Sequence, residues 1–470
     1  MPALSSSLPF PSADVPPGRV VSFEDARHLV EEHARNISSV ETESVDLLQA
    51  LGRVLAEAIP ADRDFPPFDR ATRDGYAVRA ADVAQVPSRL EVVGELKAGG
   101  GLPDPRVCVV GPRQAFAIMT GAPLPVESDA VVMVEHTALV DQKRINQNRI
   151  NQSRINQDND ENPQQPAEQV EILRSVSRGD NFVPRGSEAR AGQALLDRGH
   201  LLDHSALAIA ASVGKSRVQV FRRPQVAVLS TGDELVEINE TPGPAQIRNS
   251  NSYSLAAQVH HAGGEAVQLE IAPDEPHRLR ALIEEGLGRD LLLLTGGVSM
   301  GKYDLVEQVL AELNAEFYFT GAEIQPGRPI VFGSCRAGVP ARLLAAPPPS
   351  TQQVPPLNRK YFFGLPGNPV STMVTFELFA RPMIEALSGM KPKPLIFTRA
   401  RLKSEIRTKT GLKRFLPAIL SGEFENAEVE LARWQGSGDI AAMARSNCYV
   451  VVPPDRERIE AGEWVPLLMR

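Results

Sequence analysis

Three short loops concentrate the residue types that hold phosphate and metal: Ser230-Thr231-Gly232-Asp233-Glu234-Leu235, Thr295-Gly296-Gly297-Val298-Ser299-Met300-Gly301 and Gly364-Leu365-Pro366-Gly367-Asn368-Pro369-Val370-Ser371. Glycines let backbone N–H groups approach a phosphate closely, and a helix that follows points its positive end at the same place. Asp233, Glu234 and Asp304 stand in these loops or just after them. Carboxylates beside a phosphate repel it unless a cation intervenes, and Mg²⁺ commonly bridges one or two carboxylates to phosphate oxygens. Taken singly, each loop has a plainer reading as a chain reversal, Asp233 as a helix N-cap and Asp304 as a first-turn helix acid. Three such loops in one domain point to a cleft rich in backbone donors.

The elements that must position these loops are legible around them. Apolar runs, Val226–Leu229, Leu291–Leu294 and Phe362-Phe363, precede the loops. Helical patterns follow, as in Leu305, Val306, Val309, Leu310 and Leu313, or in the segment that continues through Leu387. Strand, loop and helix repeated between Pro224 and Leu387 predict an α/β domain with a mostly parallel sheet, whose ligands bind at the carboxyl ends of the strands. Near the start, Ser22 before Phe23-Glu24-Asp25 reads as an N-cap, with a helix through about Asn36. Short runs such as Leu90–Val93 and Ala130–Val134, parted by Gly and Pro clusters, predict a β-rich module at about 61–178. The alternating runs from about Pro394 to Arg470, Cys448–Val452 among them, predict a small β-barrel or sandwich.

Composition narrows the class. A chain of 470 residues with 42% hydrophobic and 23% charged residues has room for about three ordinary domains. Its net charge of −8 argues against general nucleic-acid binding, which rests on clustered Lys and Arg. No apolar run is long enough for a membrane span, and Met1–Val20 lacks the pattern of a signal peptide. Three scattered cysteines, Cys108, Cys335 and Cys448, make neither a zinc pattern nor a disulfide framework, so a cytoplasmic location is expected. Residues 1–21 read as a flexible start, 142–169 as a low-complexity loop built on Arg-Ile-Asn-Gln repeats, and 339–358 as a proline-rich loop insertion.

Two further acids lie far from the loops, in Arg73-Asp74-Gly75-Tyr76-Ala77 and Arg185-Gly186-Ser187-Glu188. Alone, Asp74-Gly75 is a turn. The His260-His261 pair sits on a predicted helix without a third ligand and does not read as a metal site. With their order and spacing, the three loops and Asp304 resemble the molybdopterin-binding domain of MoeA-type molybdenumtransferases and the gephyrin E domain. Asp74-Gly75-Tyr76-Ala77, Met119-Thr120-Gly121-Ala122 and Gln435-Gly436-Ser437 extend the resemblance across roughly 22–470.

The resemblance implies an elongated N-terminal region, 22–223, carrying the inserted β module, then an α/β molybdopterin-binding domain, 224–392, and a C-terminal β-barrel domain, 393–470. It implies a homodimer whose active site draws on both subunits, so that Asp74 and Glu188 reach the cleft from the partner. A molybdopterin adenylyltransferase is a further partner in this reading. The implied reaction takes adenylated molybdopterin and molybdate as substrates, needs Mg²⁺, and yields molybdenum cofactor and AMP. On that basis Glu234, Asp274 and Asp304 are metal-site candidates, with Asp74 and Glu188 as further catalytic acids; Glu188 stands where the family usually has Asp. Thr120, Thr231, Gly232, Asp233, Gly296, Gly297, Ser299, Gly367, Asn368 and Ser371 are substrate-binding candidates, with Arg328 and Ser437 on the molybdate side. The family often reads Lys-Pro-Gly-Lys-Pro where this chain has Gln325-Pro326-Gly327-Arg328-Pro329, and an arginine usual in the C-terminal domain is replaced by Pro417. Lys413 or Arg414 could take over that charge. Two alternatives stay open: a molybdopterin-binding scaffold with weakened insertion activity, and an Mg²⁺-dependent dinucleotide hydrolase on the same core.

Overall fold

The computed structural model describes residues 19–37, 41–101, 104, 106–140, 168–297, 305–336, 359–391, 393–433 and 435–470. Outside them lie the N-terminal stretch through residue 18, residues 142–167 of the repeat segment, the 339–358 insertion, and Ser299 and Asp304. The chain divides into two compact units: Met1–Glu57, Arg198–Ala208 and Lys215–Arg470 form one, Ala58–Asp197 and Ile209–Gly214 the other. Among the described residues no helix is long and apolar enough to cross a membrane.

The larger unit begins with α1, Phe23–Arg35. The Ser22 hydroxyl accepts the Asp25 N–H at 3.0 Å, and Glu24 and Asp25 occupy the first turn, so the helix starts where the cap signal predicts. Its Phe23, Ala26, Val30 and Ala34 are buried.

The smaller unit is built on a six-stranded sheet of β1 (Gly75–Val78), β2 (Ser88–Leu96), β3 (Gln114–Ile118), β4 (Ala130–Met133), β5 (Thr137–Leu139) and β6 (Gln169–Ile172), in the order β4-β1-β3-β2-β6-β5. Only β2 and β3 run parallel. Gly75 is required where β1 crosses β4, because a Cβ there would fall 1.9 Å from the Val132 carbonyl oxygen.

The larger unit continues as an α/β domain: β7 (Gln225–Ser230), α2 (Ser250–His261), β8 (Glu265–Gln268), α3 (Pro276–Leu287), β9 (Leu291–Thr295), α4 (Leu305–Glu312), β10 (Glu316–Phe319), the short β11 (Ile324–Gln325), β12 (Val331–Arg336) and β13 (Arg359–Leu365). The sheet order is β8-β7-β9-β13-β12-β10; the first four strands are parallel, β12 runs antiparallel to β13, and β10 runs antiparallel to β12. Alternate residues of β7 and β9 feed two cores: Val226, Val228, Leu291 and Leu293 pack with α1 and α2, while Ala227, Leu229, Leu292 and Leu294 pack with α3 and α4. Burial on both faces explains why β9 reads Leu-Leu-Leu-Leu-Thr.

After β13 comes a continuous helical rod: α5 (Pro369–Thr375), a π turn at Phe376–Ala380, and α6 (Arg381–Leu387). A π turn leaves carbonyls without their usual partners. The buried Arg27 of α1 supplies one, donating to the Leu378 carbonyl while its Nε pairs with Glu31 at 2.7 Å.

The C-terminal strands are β14 (Phe397–Leu402), β15 (Lys413–Ser421), β16 (Glu428–Leu431), β17 (Cys448–Val452) and β18 (Trp464–Met469). They run β15-β16-β14-β18-β17, and β17 pairs back onto β15, closing the expected small barrel. The edge strand β11, from the α/β region, adds to β15 in parallel register.

Also on α1, His33 is buried among Tyr318, Phe332 and Tyr361, with its Nδ1 3.3 Å from the Tyr361 hydroxyl. Burial, helped by the positive charge of Arg359, pushes its pKa from 6.5 down to about 4. The neutral ring therefore stabilises the fold fully above about pH 6.5, and that contribution is lost as pH falls toward 4, because the unfolded chain takes up the proton first. Between pH 7 and pH 5 the loss is about 2 kcal/mol. Urea unfolding should show His33→Phe losing correspondingly less stability over that interval; equal losses in both proteins would contradict the assignment.

Candidate functional site

Because β7, β9 and β13 are parallel and in register, Ser230 beside Thr295 and Thr295 beside Leu365, their three loops leave the sheet at the same edge. Thr295 knits them together. Its carbonyl accepts the Thr231 N–H at 3.0 Å, its hydroxyl reaches the Pro366 carbonyl at 3.3 Å, and it accepts from the Asn251 amide at 2.9 Å. The same amide donates to the Gly367 carbonyl at 2.7 Å. Gly296 takes a φ of +89°, and a Cβ on it would lie 2.3 Å from the Thr231 carbonyl oxygen, so only glycine lets these two loops touch. A Cβ on Gly367 would in turn sit 3.5 Å from the Cα of Gly296.

The carboxylates gather on the β7 side. Thr231 donates its hydroxyl to Asp274 Oδ1 at 3.2 Å, and the Asp274 N–H donates to Asp233 Oδ1 at 3.1 Å. The Glu234 carboxylate folds over Gly232. Asp233 is not an N-cap: the chain turns from Gly232 to Leu235 and enters a short strand, Leu235–Val236, rather than a helix. Asp233, Glu234 and Asp274 are exposed and have no Lys or Arg partner among the described residues. Sites of this kind suit a hard divalent cation shared with phosphate oxygens. Among the described residues no three His, Cys, Asp or Glu form a metal-holding group, and Asp304 lies outside those residues. His260 and His261 end α2 as an ordinary last turn.

The side toward α5 carries a basic residue, Arg328. The Gln325–Pro329 turn rests on α5, since a Cβ on Gly327 would fall 2.3 Å from Thr375 Cγ2 and 3.6 Å from the Ser371 carbonyl. Ser371 is buried, and the Ser437 carbonyl accepts the Val370 N–H at 2.9 Å, bringing the barrel-side loop to the start of the same helix. Arg328 is exposed, with no side-chain hydrogen bond or ion pair among the described residues. Pro417 is buried within β15 opposite Tyr449 and brings no charge.

In the smaller unit, Asp74 and Thr120 meet. The Thr120 N–H and hydroxyl both donate to Asp74 Oδ1, at 2.6 and 2.8 Å, and hold the carboxyl below its usual range, so it stays ionised. Glu188 pairs instead with Arg70 at 3.4 Å and is half exposed.

Sequence reasoning did not single out Asn251 or the side chain of Thr295. Asn249, two residues earlier, is the N-cap of α2, and a second Asn in that turn reads as more of the same. Replacing Thr295 by Val keeps the shape and removes the hydroxyl. Its hydrogen bonds to Asn251 and Pro366 are then lost, at a cost of about 1–3 kcal/mol; an unchanged urea midpoint would contradict the knitting role.

Three family descriptions match the chain in order. They are the MoeA N-terminal region (domain I and II) over residues 21–214, the probable molybdopterin binding domain over 227–386, and the MoeA C-terminal region (domain IV) over 399–469. The molybdopterin molybdenumtransferase of Nostoc sp. (strain PCC 7120) is 32% identical over 440 residues, 92% of this chain and 89% of that protein. The one from Bacillus subtilis (strain 168) is 30% identical over 434 residues, 91% and 90% of the two chains. A crystal structure of the molybdopterin biosynthesis MoeA protein from Pyrococcus horikoshii OT3 superimposes with a TM-score of 0.69 at 25% identity, covering 96% of this chain and all 100% of its own. Sharing close to a third of its residues with such relatives along almost its whole length, the chain belongs to the molybdopterin molybdenumtransferase family.

Proposed function

We propose that this transferase of molybdenum cofactor biosynthesis takes adenylated molybdopterin and molybdate and releases AMP as molybdenum enters the pterin dithiolene. The observation that carries the reading is the convergence of the Thr231, Gly296 and Gly367 loops on one edge of the parallel sheet, with carboxylates on one flank and Arg328 on the other. Backbone amides of the glycine loops disperse phosphate charge, and the loops fix the pterin end of the substrate relative to the oxyanion. Glu234 and Asp274, with Asp304, would hold Mg²⁺, which when bound neutralises the charge of the pyrophosphate. Thr231 orients Asp274 through its hydroxyl, keeping one carboxylate oxygen directed and the other free.

A homodimer belongs to the same reading and is supported by the family resemblance: Asp74 and Glu188 of one subunit then serve the cleft of the other. The ionised state of Asp74, enforced by Thr120, suits a charge-handling role. A molybdopterin adenylyltransferase is the partner that delivers the adenylated substrate, and the cytoplasm, where the three unpaired cysteines stay reduced, is the proposed compartment. One observation favours the scaffold alternative: the absence of a cation at Gln325 and Pro417 weakens the molybdate side.

Incubating the purified protein with adenylated molybdopterin, molybdate and Mg²⁺ should release AMP, and substrate binding without any AMP release would leave only the scaffold. Glu234→Gln should keep the melting temperature and lower Mg²⁺-dependent AMP release by about tenfold or more. Wild-type turnover in that variant would remove Glu234 from the site.

A further inference from the structure

Of the two cations on β15 that could take over the charge missing at Pro417, the structure leaves only one available, and it lies beside Gln325. Lys413 is committed: its ammonium pairs with Glu24 and lies 4.7 Å over the Phe23 ring, tying α1 to the barrel. Arg414 is not. It is 7% exposed, its one hydrogen bond is from Nη1 to the Leu412 carbonyl at 3.0 Å, and no carboxylate pairs with it among the described residues. Burial pulls its guanidinium below the ordinary arginine value with no anion to offset it.

Its place in the fold explains the isolation. Along β15, Phe415 joins the core shared with α1, whereas Leu416 and Ala418 line the apolar interior of the barrel. Arg414 shares the face of Leu416 and Ala418 by strand alternation, at the end of the barrel. The parallel register sets Gln325 directly beside Arg414, and Ile324 beside Lys413. Three residues past Gln325 stands Arg328, also without a counter-ion among the described residues. A buried guanidinium without an anion is costly, and it is the side chain best shaped to grip a tetrahedral oxyanion.

We propose that Arg414 is a molybdate-binding residue of this chain, acting with Arg328 and the Gln325 amide and supplying from the neighbouring strand the cation absent at 325. The proposal rests on the transferase reading above. Equilibrium dialysis of the full-length protein against molybdate tests it. Arg414→Met should weaken molybdate binding by about tenfold or more while the melting temperature holds or rises, because an unpaired buried charge is replaced by an apolar stem. Adding Gln325→Lys to Arg414→Met should restore binding, and Lys413→Met should leave the affinity as it is. Unchanged affinity in Arg414→Met, or loss in Lys413→Met instead, overturns the proposal while the transferase reading stands. Inorganic phosphate displacing molybdate at equal concentration assigns Arg414 to the substrate phosphate and overturns it too. A wild-type protein that retains no molybdate sinks the transferase reading and the proposal together.

Discussion

The candidate site depends on one buried residue at the end of a strand. Thr295 is 1% exposed, and its peptide and hydroxyl fasten the loops after β7 and β13 to the loop after β9. Parallel strands in matched register bring three loops to one edge, but register alone leaves each loop free to splay. The hydroxyl of Thr295 and the amide of Asn251 remove that freedom, at the level where Gly296 lets the backbones touch. A preorganised set of donors of this kind stabilises developing charge without rearranging during the reaction.

Around that junction, opposite charges are kept apart. Asp233, Glu234 and Asp274 lie on the β7 flank; Asp274 is tied to Asp233 and to Thr231 through hydrogen bonds, and none of the three pairs with a basic residue among the described residues. The arginines lie on the flank formed by the Gln325–Pro329 turn and β15. Had these groups been paired with each other, neither a divalent cation nor an oxyanion would find a vacancy in the electrostatics. The rest of the larger unit holds this separation in place: Arg27 stabilises the π turn in the rod that begins at Pro369, and Lys413 is occupied by Glu24.

Much of this was legible in the chain itself, for physical reasons. The Leu291–Leu294 run is a strand buried on two faces, the Ser22 cap starts α1, and glycine pairs mark where backbones meet. What stayed hidden needs the third dimension. Arg27 and His33 lie on a helix whose apolar stripe is complete without them, so nothing in their spacing signals burial. Asp233 precedes a pattern that suits a cap, yet its partner is the amide of Asp274, forty-one residues away along the chain. The choice between Lys413 and Arg414 turns on the register between β11 and β15, which adjacent residues cannot reveal.

The central claim is that the three loops at the carboxyl edge of the sheet form a single substrate-binding surface. Hydrogen–deuterium exchange with and without adenylated molybdopterin tests it most directly. Adenylated molybdopterin should slow exchange at Thr231–Asp233, Gly296-Gly297 and Gly367-Asn368 together, with Thr295 already protected in the free protein. Protection confined to one of these loops, or appearing instead on the barrel strands alone, would contradict it.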